Sequence, residues 1–324
     1  MKVRVCFHDK CFDGAASAAV FSRFLRERVH SDADFHYTGM THKASKPFED
    51  NVFDGDENAI VDFKYSDSPQ LTWWFDHHQS AFLTPADAAH FRADTSGRKF
   101  YDPTYKSCTK FIATIATQKF GFDSSPIADL IHWGDIIDGA QFADAAEAVS
   151  LAAPATQLAL VIEGAPEPNL VPKLIPDMAY KSLPEMVQLP IVQKYLGPLL
   201  ERHRKSIDIF RDRAESRDGV IYFDVSDLDL EGYNKFVPYY LFPDATYSVG
   251  LSASHVRSKV SVGTSPWKDV PPEVNLASIS EKYGGGGHPR VSAISFGPGD
   301  INRARQVARE IATTLRAAPK APAK

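Results

Sequence analysis

Residues 75–80 read FDHHQS, placing Asp76, His77 and His78 directly after the apolar run Leu71, Trp73, Trp74 and Phe75. So dense a cluster of aromatic side chains predicts a buried strand, and an acid followed by two imidazoles predicts that this strand delivers polar groups to a site at its end. The same arrangement recurs upstream. Val3, Val5 and Phe7 alternate with Arg4, Cys6 and His8, a period-2 strand pattern, and the loop DKCFDG leads into AASAAVFSRFLRERV, whose apolar residues fall at helical spacing and which ends in basic residues. Further strands are predicted at DFHYTG (34–39), NAIVDF (58–63) and LTWWFDHH (71–78), and helices over 107–119 and 126–137. Strands alternating with helices predict a mostly parallel sheet. His8 with Asp13, then Asp62, then Asp76 with His77 and His78 all follow the carboxyl ends of its strands. In an open parallel sheet those ends share one edge, outside which ligands bind.

Composition sets the frame. A chain of 324 residues predicts two domains, and 44% hydrophobic with 24% charged residues is ordinary for a soluble globular protein. The start, MKVRVCFHDK, enters a strand pattern without a leader, and no run is long enough for a membrane span, so the expected location is cytoplasmic. Three cysteines without knuckle spacing fit a reducing compartment, with Cys6 and Cys108 assigned to packing. A net charge of −5 argues against tracking long nucleic acid. The densest basic stretch, RHRKSIDIFRDR at 202–213, has acids interleaved and reads as a solvated helix face.

The chain divides into a first domain over 1–145, a helical connector over 146–217, a smaller C-terminal α/β domain over 218–316 and a disordered tail over 317–324. The last domain is predicted to contain the strand VIYFDV, a helix near 234–241, strands near 246–253 and 256–263, the helix NLASISEKY, the strand VSAISF and a final helix over 301–316. Within it stands KYGGGGHPR. Consecutive glycines allow backbone N–H groups to turn inward as an anion-binding nest, and His288 adds a directional donor.

Each strand-end residue taken singly reads rather as a cap or a turn: Asp13 before a helix, Asp62 and Asp76 at strand ends, His8 as a structural histidine. Together they read differently. Several carboxylates crowded with imidazoles repel and desolvate one another unless a cation neutralises them. Mixed carboxylate and imidazole ligands suit Mn²⁺, and also Fe²⁺, Co²⁺ or Zn²⁺, better than Ca²⁺. A carboxylate shared by two ions would make a two-metal hydrolytic site.

With HDKCFDGAASAA, the strand-ending Asp62, Asp76-His77-His78 and GDIIDGAQF in order, the chain resembles the DHH phosphoesterase superfamily, and Gly285-Gly286-Gly287-His288 with HVRSKVSVG resembles its associated C-terminal domain. These motifs run from about residue 5 to 296. The resemblance implies a manganese-dependent phosphoesterase of the nanoRNase and RecJ-like branch, with two ions. Asp13, Asp62, His77 and Asp138 would hold one ion, and His8 with Asp62 the other. Family spacing in GDIIDGAQF selects Asp138 over Asp135. His78 would face the scissile phosphate, Asp76 would orient its neighbours, and Arg257, Ser258, Gly285, Gly286, Gly287 and His288 would bind substrate. The implied partner is a nucleotide or short oligonucleotide, with no membrane and with a homodimer among the assemblies allowed. One departure stands out: the chain reads Cys11-Phe12-Asp13 where most relatives carry Asp-x-Asp, and His8 lies one residue closer to Asp13 than in the common pattern. Cys11 is then a thiolate ligand, a bystander or the mark of a weaker metal position. The alternative function is a nucleotide-sensing protein that has lost turnover through this change.

Overall fold

The computed structural model describes residues 1–41, 48, 51–228, 230 and 232–319, and these fall into two units: residues 1–141 with 151–199, and 142–150 with residues from 200 onward. The expected connector over 146–217 is therefore apportioned between them. Of the expected tail, residues 320–324 lie outside the described residues. No helix among the described residues is long and apolar enough to cross a membrane.

The first unit opens with β1 (Lys2–His8), α1 (Phe12–Arg28), β2 (Asp34–Met40), β3 (Glu57–Val61), β4 (Trp73–Asp76), α2 (Pro85–Ala93), β5 (Lys99–Tyr101), α3 (Cys108–Phe120) and α4 (Ala128–Asp138). Its five strands are all parallel, in the order β2-β1-β3-β4-β5. The chain leaves β1 toward β2 on one side and returns to β3 on the other, so the order reverses between β1 and β3. That reversal opens a crevice at the strands' carboxyl ends. Register aligns Phe7 with Val61 and Val61 with Phe75, so His8, Asp62 and Asp76 emerge side by side.

Period-2 alternation in β4 explains the aromatic run. Trp73 and Phe75 meet Phe21 of α1 on one face, while Trp74 meets Tyr65, Phe82 and Phe91 on the other. Both indole N–H groups are satisfied, by Glu57 Oε2 at 2.7 Å and the Phe63 carbonyl at 2.9 Å. α1 is buried on nearly all sides, as a helix carrying Ala and Phe round its circumference must be.

In chain order there follow α5 (Ala145–Ser150), α6 (Pro154–Gly164), α7 (Leu170–Met178), α8 (Leu183–Val187) and α9 (Pro190–Arg213). Of these α6, α7 and α8 belong to the first unit, where α6 and α7 pack on α1; the division between units falls within α9. The second unit continues with β6 (Glu215–Arg217), β7 (Val220–Asp224), α10 (Val237–Leu241), β8 (Tyr247–Ala253), β9 (Ser258–Thr264), α11 (Leu276–Glu281), β10 (Gly286–His288), β11 (Val291–Phe296) and α12 (Ile301–Arg316). Its sheet runs β10-β11-β9-β8-β7-β6, antiparallel except for the β7–β8 pair. α12 lays Val307, Ile311 and Leu315 against Val249, Val260 and Ile294.

One glycine ties fold to site. A Cβ on Gly14, in the first turn of α1, would stand 2.1 Å from the His8 carbonyl oxygen. The helix can begin this close to the end of β1 only without a side chain there. Gly14→Ala is expected to cost about 1–3 kcal/mol through forced backbone displacement, read as a lower denaturant midpoint at unchanged m-value; an unchanged midpoint would show that α1 shifts freely.

Candidate metal centre

Asp62 is the first residue past β3 and has φ +57, a left-handed conformation that aspartate tolerates better than most residues. Its N–H donates to the Phe75 carbonyl at 2.9 Å, which fixes the turn against β4. The carboxylate is 1% exposed and neither oxygen has a hydrogen-bond partner among the described residues. Instead Oδ1 lies 3.4 Å from His77 Nε2 and Oδ2 lies 3.5 Å from His8 Nδ1. These separations allow charge attraction but are too long or misaligned for good hydrogen bonds. One carboxylate thus presents Oδ2 to His8 and Oδ1 to His77, with His78 Nδ1 also 3.8 Å from Oδ1.

His77 is aimed by its other nitrogen. Nδ1 donates to the Tyr105 carbonyl at 3.1 Å, which fixes the tautomer and leaves Nε2 for a ligand. Around Nε2 stand Asp62 Oδ1 at 3.4 Å, Asp138 Oδ2 at 3.4 Å and Asp13 Oδ2 at 3.7 Å. Donor atoms around an ion with bonds of about 2.1 Å sit roughly 3.0–3.4 Å apart, so this spacing fits a divalent cation. The buried, unpartnered Asp62 oxygens and His77 Nε2 fit one too, because desolvated charge otherwise lacks compensation.

Asp13 is held from behind by the start of α3: Cys108 N–H donates to Oδ2 at 2.7 Å and Thr109 N–H to Oδ1 at 3.0 Å. The unpaired N–H groups of a helix N-terminus suit a carboxylate. Sequence reasoning missed this support; Ser107, whose side chain accepts from Lys110 N–H as the N-cap, was the available signal. Cys6 and Cys108 side chains are fully buried, as expected of packing residues.

α4 separates the two candidate aspartates. Asp138 meets His77, whereas Asp135 pairs with Lys110 Nζ at 2.7 Å and accepts from Ser107 Oγ at 3.2 Å. Asp76, fully buried, orients the turn: its Oδ1 accepts from His77 N–H at 2.8 Å, His78 N–H at 3.2 Å and His78 Nδ1 at 2.6 Å. His78 is therefore left with Nε2 for any further contact. Cys11 occupies the N-cap position of α1, and its Sγ falls with donor atoms of His8 and Asp62 inside a common 4.8 Å.

Charge follows from this crowding. Burial, then the neighbouring charges of Asp62 and Asp138, push the Asp13 carboxyl well above the usual range. Burial opposes charge on His77, but Asp62, Asp13 and Asp138 outweigh it and hold the imidazole up at about 10; for His78, Asp76 and Asp62 do the same, to about 9. Burial also opposes ionisation of Asp62, yet His77 and His8 carry it well below the usual carboxylate range. Burial, with Asp62, Asp138 and Asp13 adding to it, pushes the Cys11 thiol well up.

The second unit differs from expectation. Gly284 N–H donates to Glu281 O at 3.1 Å and Gly285 N–H to Ser280 O at 3.0 Å, so both are spent on closing α11 and do not form the expected nest. A Cβ on Gly285 would meet Ala293 O at 2.5 Å and one on Gly287 would meet Val291 O at 2.4 Å; these glycines permit β10 to lie close on β11. Nor are Arg257 and His288 at one locus. Ser258 pairs with Phe296, but His288 pairs with Val291, five residues along β11, or roughly 17 Å at the strand rise, and two strands across. Ser258 is 1% exposed, so its hydroxyl is turned from solvent. The arginine nearest His288 in sequence, Arg290, donates to Thr264 Oγ1 and to the Ser265 and Lys268 carbonyls.

Two outcomes follow from this geometry. His77 ordinarily titrates at 6.5 and here at about 10, so in metal-free protein its pairing stabilises fully below 6.5 and is lost as pH rises through about 10. Thermal midpoints of chelator-treated protein should fall across that window, and the increment given by Mn²⁺ should grow, because the ion replaces a proton; an increment that shrinks with pH would remove His77 from the ligands. Asp138→Asn should weaken Mn²⁺ binding by more than about tenfold in calorimetric titration, while Asp135→Asn leaves it near wild type; the reverse ranking would exchange their roles.

No family model and no curated protein matches the chain in sequence. Solved structures do match it. The pGpG-specific phosphodiesterase PggH of Vibrio cholerae is 19% identical, with a TM-score of 0.65 over 98% of this chain and 99% of that one. RecJ from Thermus thermophilus, in complex with Mn²⁺, is 13% identical, with a TM-score of 0.54 over 98% of this chain but 52% of that one. The DHH domain of a protein assigned to a family of ribosomal proteins is 12% identical, with a TM-score of 0.56 over 96% and 86%. The parallel sheet with its Asp-His-His turn and the second, mixed sheet thus share the fold of these three structures, one of which is a DHH domain.

Proposed function

We propose that the protein is a divalent-metal-dependent phosphoesterase that hydrolyses short nucleotide phosphoesters, acting in the cytoplasm. The observation that carries this reading is Asp62, a desolvated carboxylate whose two oxygens face His77 and His8 without hydrogen bonds. Asp13, Asp62, His77 and Asp138 would hold one cation, and Asp62 and His8 would contribute to a second. Bound there, divalent cations, Mn²⁺ by this reading, supply Lewis-acid polarisation of a phosphoryl group and an activated water.

The chain's own groups do the rest. Tyr105 O keeps the His77 proton on Nδ1. Asp76 holds His78 through Nδ1, which leaves Nε2 toward the crevice, where in the protonated imidazole Nε2–H would donate to a phosphoryl oxygen on which negative charge grows. Substrate contacts in the second unit are assigned to the exposed Gly286–His288 edge, with Arg257 standing apart at the start of β9.

Substrate length is argued from charge. In α9, Lys205 pairs with Glu201 and Arg211 with Asp208, and beyond its end Asp227 takes Arg213. Basic residues so paired do not form a phosphate track, and with a net charge of −5 few phosphates can be neutralised. The match to a pGpG phosphodiesterase over nearly its full length supports a substrate of dinucleotide size, whereas RecJ is matched over about half.

Activity in Mn²⁺ is expected to be highest on substrates of about one to five nucleotides and to depend weakly on salt. A length series of 5′-labelled single strands, with linear dinucleotides and phosphorylated mononucleotides alongside, at two salt concentrations, tests this. His77→Ala should lower turnover on the best substrate by about a hundredfold or more with the fold retained. Processive degradation of strands tens of nucleotides long, steeply inhibited by salt, would overturn the length assignment, and full activity of His77→Ala would overturn the site.

A further inference from the structure

The two sides of Asp62 are chemically unlike. Toward His77 the donor set is three carboxylates and one imidazole: Asp62 Oδ1, Asp138 Oδ2, Asp13 Oδ2 and His77 Nε2. Toward His8 stand an imidazole, a carboxylate oxygen of Asp62 and the Cys11 sulfur, with donor atoms of all three within 4.8 Å of one another, and Asp62 Oδ2 is the oxygen that lies 3.5 Å from His8 Nδ1. Asp62 Oδ2 is buried and has no hydrogen-bond partner among the described residues. Local structure aims the sulfur there. Lys10 turns the chain with φ +54, and Cys11 adopts extended backbone as the N-cap of α1, immediately before the turn that holds Asp13. Burial beside carboxylates disfavours a bare thiolate at Cys11, so a bound cation would supply the compensating charge. The other cysteines contribute nothing here: Cys6 and Cys108 are fully buried and belong to no such donor group, whereas Cys11 is partly exposed.

From this juxtaposition we propose that Cys11, with His8 and Asp62, is a thiolate ligand of the second cation position, which therefore prefers a softer ion such as Zn²⁺, Co²⁺ or Fe²⁺, while the position of Asp13, His77 and Asp138 keeps its preference for Mn²⁺. The inference rests on the two-cation reading above and extends it to a site that discriminates between its halves. Thiolate selects borderline and soft cations, and carboxylate with a single imidazole selects hard ones. Binding exchanges the Cys11 S–H proton for the metal: the proton leaves to solvent and the sulfur lone pair forms the new bond.

Cobalt reports this without reference to turnover. The purified 324-residue chain, stripped of metal, is titrated with Co²⁺ and followed by absorption. The expected result is two equivalents bound, visible ligand-field bands, and a near-ultraviolet sulfur-to-cobalt charge-transfer band. Cys11→Ser and Cys11→Asp should lose the charge-transfer band and keep ligand-field absorption, and Cys11→Asp should shift the Zn²⁺-to-Mn²⁺ affinity ratio of the second equivalent toward Mn²⁺ by about tenfold or more. In unmutated protein, alkylation of Cys11 by iodoacetamide, located by peptide mass, should be blocked by Co²⁺ or Zn²⁺ but not by Mn²⁺ at one equivalent. Two equivalents bound without a charge-transfer band, or a band that survives in Cys11→Ser, or alkylation indifferent to Zn²⁺, would overturn the thiolate assignment and leave the two-cation reading standing. Absence of any bound cobalt would overturn both.

Discussion

A carboxylate that is 1% exposed and has no hydrogen-bond donor on either oxygen among the described residues is the constraint on which the first unit depends. Asp62 can occupy that position because β3 ends beside β1 and β4, because its left-handed backbone turns the side chain into the crevice, and because His8 and His77 approach from opposite sides. Desolvation of such a group costs several kcal/mol unless opposite charge or metal compensates. In the metal-free protein His77 provides compensation by holding a proton far above its ordinary range. A cation bound there would take over the same task with the same atoms, so the site's electrostatics and the proposed chemistry would have one origin.

The surrounding structure keeps those atoms in place with backbone groups. Tyr105 O fixes His77, the first N–H groups of α3 fix Asp13, and Asp76 gathers the N–H groups of the Asp-His-His turn. None of these supporting contacts requires a particular side chain at 105 or 109, and each leaves a donor atom facing the crevice. The aromatic packing behind β4 serves the same end, since Trp73, Trp74 and Phe75 anchor the strand from both faces of the sheet. Asp135 shows the discrimination involved: only three residues from Asp138 on α4, it is drawn away by Lys110 and Ser107.

The glycine run of the second unit is, by contrast, largely a packing device. Two of its N–H groups close α11, and two of its positions admit no Cβ because β11 lies against them. A motif can therefore resemble a ligand-binding signature and be demanded by strand packing at the same positions. What remains available is the exposed edge around Gly286 and His288, at some distance from Arg257 along the strands.

Period-2 and helical spacing made the strands, the first helices, the parallel class of the first sheet and the strand-end placement of His8, Asp13, Asp62, Asp76, His77 and His78 legible from sequence, because alternation and strand ends are local properties. The last helix, 301–316, was legible for the same reason. The preference for Asp138 over Asp135 came from motif spacing; in the structure Asp138 lies beside His77 and Asp135 beside Lys110. Only tertiary structure decided what depends on residues distant in sequence: that residues 151–199 pack with the first unit, that Asp13 is bound by a helix starting 95 residues later, that Cys11 falls beside His8 and Asp62, and that strand register places Arg257 and His288 apart. Register is set by pairing between strands, and no pattern within one strand records how far along its neighbour it lies.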